Sequence, residues 1–417
     1  MKILIVNPGV QPELQQVVNS LSEFGFQVRY ATASSLGSEF FTISLVRYAI
    51  RFQSIQKIIL RRKLNFSEKL IFRRGFFLEL ISFALLRFFG KHIRPIRNFY
   101  LYLNLFFFIL VWNPRIIVYQ DKIPYIYKKL LKSNNRISIL VVSTASPMYF
   151  SEIYEKEFSI NQPWIKFFPP NGFSHKEIQR YLADCKFADH IMVPSKFVIR
   201  DLSRFIDRER IDVIHLGYSL ASLGINDSYH TVSSPKKKNF KVIFVGQLSQ
   251  RKGLGYLIEG FLKAKIPLSS TLTLVGTSVL GSAEYIRKNI SSDRIEVVGH
   301  VNRNQLGPLL LEHDLFLMPS LIEGFCLSAV EALGTGIPVA ITDVVLDDIV
   351  EDKFNGYILE KHSSDSIAMI LEHVYNFPIE AKQVGLNGKQ LASEFTWENY
   401  SSEFLRVLSN VYHNRYE

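Results

Sequence analysis

Two separate series of short apolar strands alternate with helical stretches along this chain, and a polar segment divides them. The first series opens with KILIV, a helical pattern over 13–24 that Gly25 ends, and the strand QVRYAT. It resumes in RIIVYQ, ISILVVS, a helical stretch over 177–187, DHIMVPS and IDVIHLG. The second series runs through FKVIFVG, TLTLVG, RIEVVG, DLFLMPS and IPVAIT. Apolar runs joined by helices read as parallel strands in an α/β fold. Residues 218–239, YSLASLGINDSYHTVSSPKKKN, carry Ser, Pro and a lysine run and read as a linker. The pattern therefore predicts two open α/β domains, about 1–217 and 238–396. A ligand would sit in the cleft, at the carboxyl ends of the strands.

Composition excludes several classes. With 417 residues, 47% hydrophobic and 21% charged, the chain is no disordered polymer. Its two cysteines, Cys185 and Cys326, are far apart and make neither a disulfide framework nor a zinc site, which fits a reducing compartment. The apolar core of MKILIV is too short for a signal peptide and reads as a first strand. No Asp-x-Asp pair follows a strand, Asp347 and Asp348 are adjacent, and Asp343 is isolated. The ten histidines form no metal-spaced cluster, so neither a metal nor a cofactor is implied.

Charge is unevenly placed. Residues 41–100 hold thirteen Lys/Arg beside Glu68 and Glu79, an excess equal to the whole net charge of +11. Phe, Leu and Ile are threaded through the same stretch. Nucleic acid would account for the charge but not for the interleaved apolar residues. An anionic membrane surface accounts for both. The longest apolar run, 99–112, spans 14 residues and contains Asn104, whereas a transmembrane helix needs roughly 20. The region 41–112 therefore reads as a basic and apolar helical insertion, and the expected location is cytoplasmic, peripheral on the inner face of a membrane.

The chemistry concentrates in DLFLMPSLIEGFCLSAVEALGTGIPVAITD, 314–343. A strand expected to end at Ser320 leads to Glu323-Gly324-Phe325. A helix then runs to Leu333, and Gly334-Thr335-Gly336 breaks it. Glu323 and Glu331 are eight positions apart, one expected at the helix entrance and one two turns along, which at 1.5 Å per residue sets their backbones roughly 12 Å apart. That separation suits a nucleotide sugar, with the free N–H groups of the helical turn near its diphosphate. A helix-capping acid and a solvated helix residue would serve the same spacing.

This segment resembles the Glu-x7-Glu signature of retaining glycosyltransferase family 4, the glycosyl transferases group 1. Pro319-Ser320, Glu331-Ala332-Leu333, Gly336, Pro338-Val339 and Phe354-Asn355-Gly356 agree as well. Val245-Gly246-Gln247-Leu248-Ser249-Gln250-Arg251-Lys252-Gly253 is similar to the family's basic stretch, with Gln247 where many members have a second arginine. The stretch 188–195 resembles the family's Ala-Asp…Pro-Ser segment. Two features depart from the family. Only Gly9 stands in the first loop, and Ser143-Thr144-Ala145-Ser146-Pro147 holds no histidine. Ser146 is its nearest polar candidate, but it reads first as a turn residue. Ser195 reads as a helix N-cap and His190 as structural.

The resemblance implies the GT-B fold, two Rossmann-like domains across a cleft, with the helix 397–417 returning to the N-terminal, acceptor-binding domain. It implies metal-independent transfer of a hexose from a nucleoside-diphosphate sugar to an acceptor hydroxyl. Glu323, Lys252 and Arg251 would be catalytic. Gly246, Gln247, Gly324, Phe325, Cys326, Leu327 and Glu331 would hold the donor. Joined to the basic insertion, it suggests a glycan or glycolipid acceptor, probed at a membrane in cell-surface polysaccharide or glycolipid synthesis. The competing reading is an inactive homologue that binds a membrane or partner. A nucleotide-binding oxidoreductase is excluded, since no Gly-x-Gly-x-x-Gly follows either first strand.

Overall fold

A computed structural model describes residues 1–7, 12–31, 71–72, 105–106, 108–120, 135–160, 163–169, 172–225, 239–290, 292–347 and 349–416. Most of the expected insertion at 41–112, the loop at Gly9 and residues 226–238 of the expected linker 218–239 lie outside the described residues.

The first strand series forms one sheet from β1 (Lys2–Val6), β2 (Gln27–Ala31), β3 (Ile71–Phe72), β4 (Ile116–Gln120), β5 (Ile137–Val141), β6 (His190–Val193) and β7 (Ile211–Val213). Its order is β3-β2-β1-β4-β5-β6-β7, with every pair parallel. The second forms another from β8 (Lys241–Val245), β9 (Thr271–Val275), β10 (Ile295–Gly299), β11 (Leu315–Met318), β12 (Val339–Thr342) and β13 (Tyr357–Leu359). Its order, β10-β9-β8-β11-β12-β13, is also wholly parallel. The continuous apolar runs have a direct cause. Ile3 and Ile5 enter one core, Leu4 and Val6 the other, so both faces of β1 are covered.

Helices α1 (Pro12–Glu23), α2 (Pro147–Ser159), α3 (His175–Phe187) and α4 (Lys196–Leu202) belong to the first series. The second carries α5 (Leu254–Lys263), α6 (Ser282–Asn289), α7 (Arg303–Leu311), α8 (Leu327–Thr335), α9 (Ser364–Asn376) and α10 (Pro378–Ala392). The last helix, α11 (Trp397–Tyr416), lays Tyr400, Phe404, Val407 and Leu408 into the same core as Ile3, Leu14 and Val17. The outgoing and returning chains meet side by side, with Tyr218 N–H donating to Phe395 O at 2.9 Å.

Three local expectations are corrected. The strand at IDVIHLG stops at Val213, because its neighbour β6 ends at Val193, whose carbonyl takes a last bond from Ile214 N–H at 2.8 Å. The strand before the Glu323 loop ends at Met318 rather than Ser320. Gly334 does not break its helix. It lies inside α8, where a Cβ would sit 2.4 Å from the Tyr218 ring, and Gly336 at φ 88° ends the helix.

In both sheets the strand order reverses, between β1 and β4 and between β8 and β11. Loops after these strands diverge and open a crevice at the carboxyl edge. In the second sheet the two loops are 246–253 and 319–326.

Candidate functional site

The loop after β8 tightens into a single 3₁₀ turn, Gln250–Lys252, closed by Gly253 at φ 72°. A Cβ on Gly253 would lie 2.0 Å from Pro319 O, so the residue must be glycine for the two crevice loops to touch. Leu321 N–H donates to Arg251 O at 2.9 Å, and the Arg251 guanidinium donates to Ile322 O at 2.8 Å. Arg251 thus braces the Glu323 loop through both its backbone and its side chain.

Glu323 is buried and ion-paired with Lys252 Nζ. Arg251 Nη1 stands 3.9 Å from its other oxygen, and Ser320 Oγ donates at 2.9 Å. Burial alone would raise its pKa. Lys252 and Arg251, helped by these hydrogen bonds, outweigh burial and hold the carboxyl below its usual range. Glu323 therefore does not cap the helix. The cap position of α8 is Cys326, with no side-chain cap bond, and helix starts only at Leu327. The 12 Å spacing, which assumed helix from Glu323 onward, does not apply. Burial pushes the Cys326 thiol up, which keeps it protonated at neutral pH.

Glu331 lies on the buried face of α8, not in solvent. Arg303, the first residue of α7, pairs with it and also donates from Nε to Ser222 Oγ at 3.0 Å. Burial raises the Glu331 pKa, and Arg303 offsets only part of that rise. Gly246 packs between Met318 and Phe244, and Gln247 is exposed beside the turn. Phe325 is buried against the His215 ring at 5.8 Å, and Leu327 is half-buried.

Arg251, Lys252 and Glu323 thus meet at one crevice edge, while Glu331 stands apart from them on α8 with Arg303. Two cations, a carboxylate and a helix start without a side-chain cap make an environment that stabilises an anion such as a diphosphate. The first sheet closes the other side. Gly324 is so near it that a Cβ would lie 1.9 Å from Ser143 O.

Sequence reasoning missed a cluster on that first-sheet side. Gln120 Nε2 donates to Glu13 Oε1 at 3.1 Å, Ser143 Oγ donates to the same oxygen at 3.2 Å, and Gln120 also bonds Ser143. These residues stand at the β1/β4 reversal, and the topology alone could have flagged them. Other candidates are structural. Ser146 caps α2 and bonds Asp201, and Ser195 caps α4. His190 pairs with Asp212 at 2.7 Å, and burial lowers its pKa despite that partner. Asp343 pairs with Lys361 and Asp347 with Arg200, while Asp348 is outside the described residues. Among the described residues no group of three His, Cys, Asp or Glu gathers as a metal site would require.

Residues 226–391 match the family "Glycosyl transferases group 1". An uncharacterised glycosyltransferase of Methanocaldococcus jannaschii is 28% identical over 215 residues, 51% of this chain and 56% of that protein. An Escherichia coli UDP-Gal:α-D-GlcNAc-diphosphoundecaprenol α-1,3-galactosyltransferase is 26% identical over 183 residues, 41% and 46% of the two chains. The chain thus spans about half the length of these curated relatives. The crystal structure of Anabaena HepE with UDP and glucose aligns over 98% of this chain and all of that one, at TM-score 0.64 and 16% identity. Its likeness extends the shared fold over both sheets. Residues 226–391 thus match the glycosyl transferases group 1, and the two-sheet architecture of the chain is the GT-B fold.

Proposed function

We propose that the protein is a retaining hexosyltransferase of family 4 that moves a hexose from a nucleoside-diphosphate sugar to an acceptor hydroxyl. The observation that carries this reading is the buried Lys252–Glu323 pair, braced by Arg251 at the β8/β11 reversal beside the start of α8. Breaking the sugar–phosphate bond leaves negative charge on the diphosphate and positive charge on the sugar. Lys252, Arg251 and the amides near Phe325 and Cys326 meet the first. Glu323 accepts bonds from the sugar hydroxyls, and Glu331 accepts from the ribose diol. Gly246, Gln247, Gly324 and Leu327 line the donor's path. The acceptor approaches on the face from which the diphosphate departs, and the diphosphate takes its proton. No enzymic nucleophile or metal takes part.

Glu13, Gln120 and Ser143 face this chemistry from the first-sheet side, which we assign to the acceptor. The proposed division is about 1–217 and 238–396, with 397–417 returning to the N-terminal domain. The acceptor is a lipid-linked glycan in surface polysaccharide or glycolipid synthesis, reached from a cytoplasmic membrane face. Two points support this: the basic, apolar composition of 41–100, and the diphosphoundecaprenol acceptor named for the E. coli relative. Among the described residues no helix is long and apolar enough to cross a membrane.

Thermal shift with UDP-, GDP- and ADP-sugars tests the reading. One donor at 100 times its dissociation constant should stabilise the protein by about 2.7 kcal/mol. That donor should then be hydrolysed slowly in the absence of acceptor. A protein that binds none of the three series would refute the proposal.

A further inference from the structure

Glu157 has no place in the chemistry above, yet its side chain is fully buried. It lies near the end of α2, on the first-sheet side, while its three hydrogen-bond partners lie on the second. Gln250 Nε2 donates to Oε2 at 2.6 Å, Tyr256 Oη to Oε1 at 2.8 Å, and His362 Nδ1 bonds Oε1 at 2.6 Å. Among the described residues no lysine or arginine forms an ion pair with it. A carboxylate taken out of water needs such donors, so this arrangement holds only while the two halves are together.

Gln250 is the link to the site. Its side-chain oxygen accepts the Gly255 N–H at 3.0 Å, so its amide is gripped at both ends. It also opens the turn Gln250–Lys252, and Lys252 is the residue paired with Glu323. Trp164 seals the same interface, since a Cβ on Gly255 would lie 2.3 Å from the indole ring. A continuous path therefore runs from Glu157 through Gln250 and the basic turn to Lys252 and Glu323.

We propose that Glu157 is a positioning residue that makes the geometry of the basic turn depend on contact between the two halves. With the halves together, Glu157 orients Gln250 and the turn presents Lys252 to the leaving diphosphate. With them apart, Gln250 loses its partner and the turn loses that restraint. This rests on the glycosyltransferase reading. Because the bond between lysine and leaving group strengthens as charge develops, Glu157 acts on kcat rather than on donor binding.

The bond pattern supplies a rescue. Glu157→Gln turns an amide NH2 either onto the Gln250 NH2 or onto the Tyr256 hydroxyl and His362 ring that donate to the carboxylate, and flipping Gln250 to relieve the first would forfeit the Gly255 bond. The exchange Glu157→Gln with Gln250→Glu meets every bond again. The new amide donates to the new carboxylate, whose second oxygen takes Gly255 N–H, and the amide oxygen serves Tyr256 and His362. The experiment measures donor hydrolysis, calorimetric binding of UDP, GDP and ADP, and amide hydrogen exchange in each variant.

Glu157→Gln should lower kcat about tenfold or more while donor KM stays within about twofold. It should also speed exchange at 250–255 and leave β8 protected. The exchange variant should recover most of both. Loss of thermal stability with kcat and turn protection unchanged would overturn the proposal, as would an exchange variant no better than the single one. A wild-type protein that binds no nucleotide would remove the glycosyltransferase reading and this role with it. Nucleotide binding with unaltered turnover in Glu157→Gln would remove this role alone.

Discussion

Glu331 and Arg303 form an ion pair in which only the arginine reaches solvent, the side chains being 4% and 50% exposed. The carboxylate is thereby held within α8 with the Arg303 cation beside it. Charged hydrogen bonds of the kind it would make to a ribose diol are worth about 1.5–3 kcal/mol each. Glu331→Ala should therefore weaken nucleotide binding about tenfold or more, read by calorimetry on a variant shown to be folded.

The same pair predicts a pH dependence. Burial raises the Glu331 pKa, and Arg303 opposes the rise. The folded state then holds this proton more tightly than the unfolded chain. Stability contributed by Glu331 falls as pH rises from the ordinary carboxylate value through the raised one. Nucleotide binding, which needs the ionised form, runs oppositely and weakens as pH falls through that value. Arg303→Met removes the opposing charge and should move the loss of affinity to higher pH. Identical affinity profiles for the two proteins would exclude the coupling.

Lys252 and Glu323 should be needed together. Lys252→Ala should lower turnover roughly 10²-fold, because the ammonium faces charge that grows in the transition state. It also strands a buried carboxylate, at about 3–5 kcal/mol. Glu323 is held below the usual range in the wild type, so the stability it contributes is present above its unfolded pKa and lost as pH falls through its folded one. Acid titrations followed by circular dichroism should show that component missing in Lys252→Ala.

Gly324 tests whether the halves must approach. Its Cβ would meet Ser143 O at 1.9 Å, and both atoms belong to backbone that has little room to yield. Gly324→Ala should hold the halves apart, enlarge the radius of gyration in solution scattering and lower turnover about 10²-fold. An unchanged radius with full activity would contradict a closed working state.

Two conditions test the wider proposal. EDTA should leave turnover intact, and activity lost to EDTA and restored by magnesium or manganese would refute metal-free transfer. In liposome co-sedimentation, anionic vesicles should retain the protein at low salt and release it at high salt, with each Lys/Arg near the surface adding about 1 kcal/mol. Protein left in the supernatant with anionic vesicles at low salt would refute the membrane assignment.

Much of the architecture is legible in local patterns. The run IIVY within RIIVYQ is unbroken by charge because β4 is covered on both faces, and each such strand announces itself within its own few residues. The loops around Lys252 and Glu323 were legible for the same reason: each directly follows a strand of the second sheet, so short motifs located them. Their meeting was only implied by the resemblance. Partners distant in sequence left no such trace. Glu331 is a helical glutamate in either reading, and nothing near it announces Arg303, 28 positions earlier. Glu157 sits in an ordinary helical stretch, 93 residues from Gln250 and 205 from His362. The fold class follows from periodicity because burial acts on every strand and helix separately. The ionisation of Glu323 and Glu331, and the burial of Glu157, were decided only when packing excluded water and brought particular donors to each carboxylate.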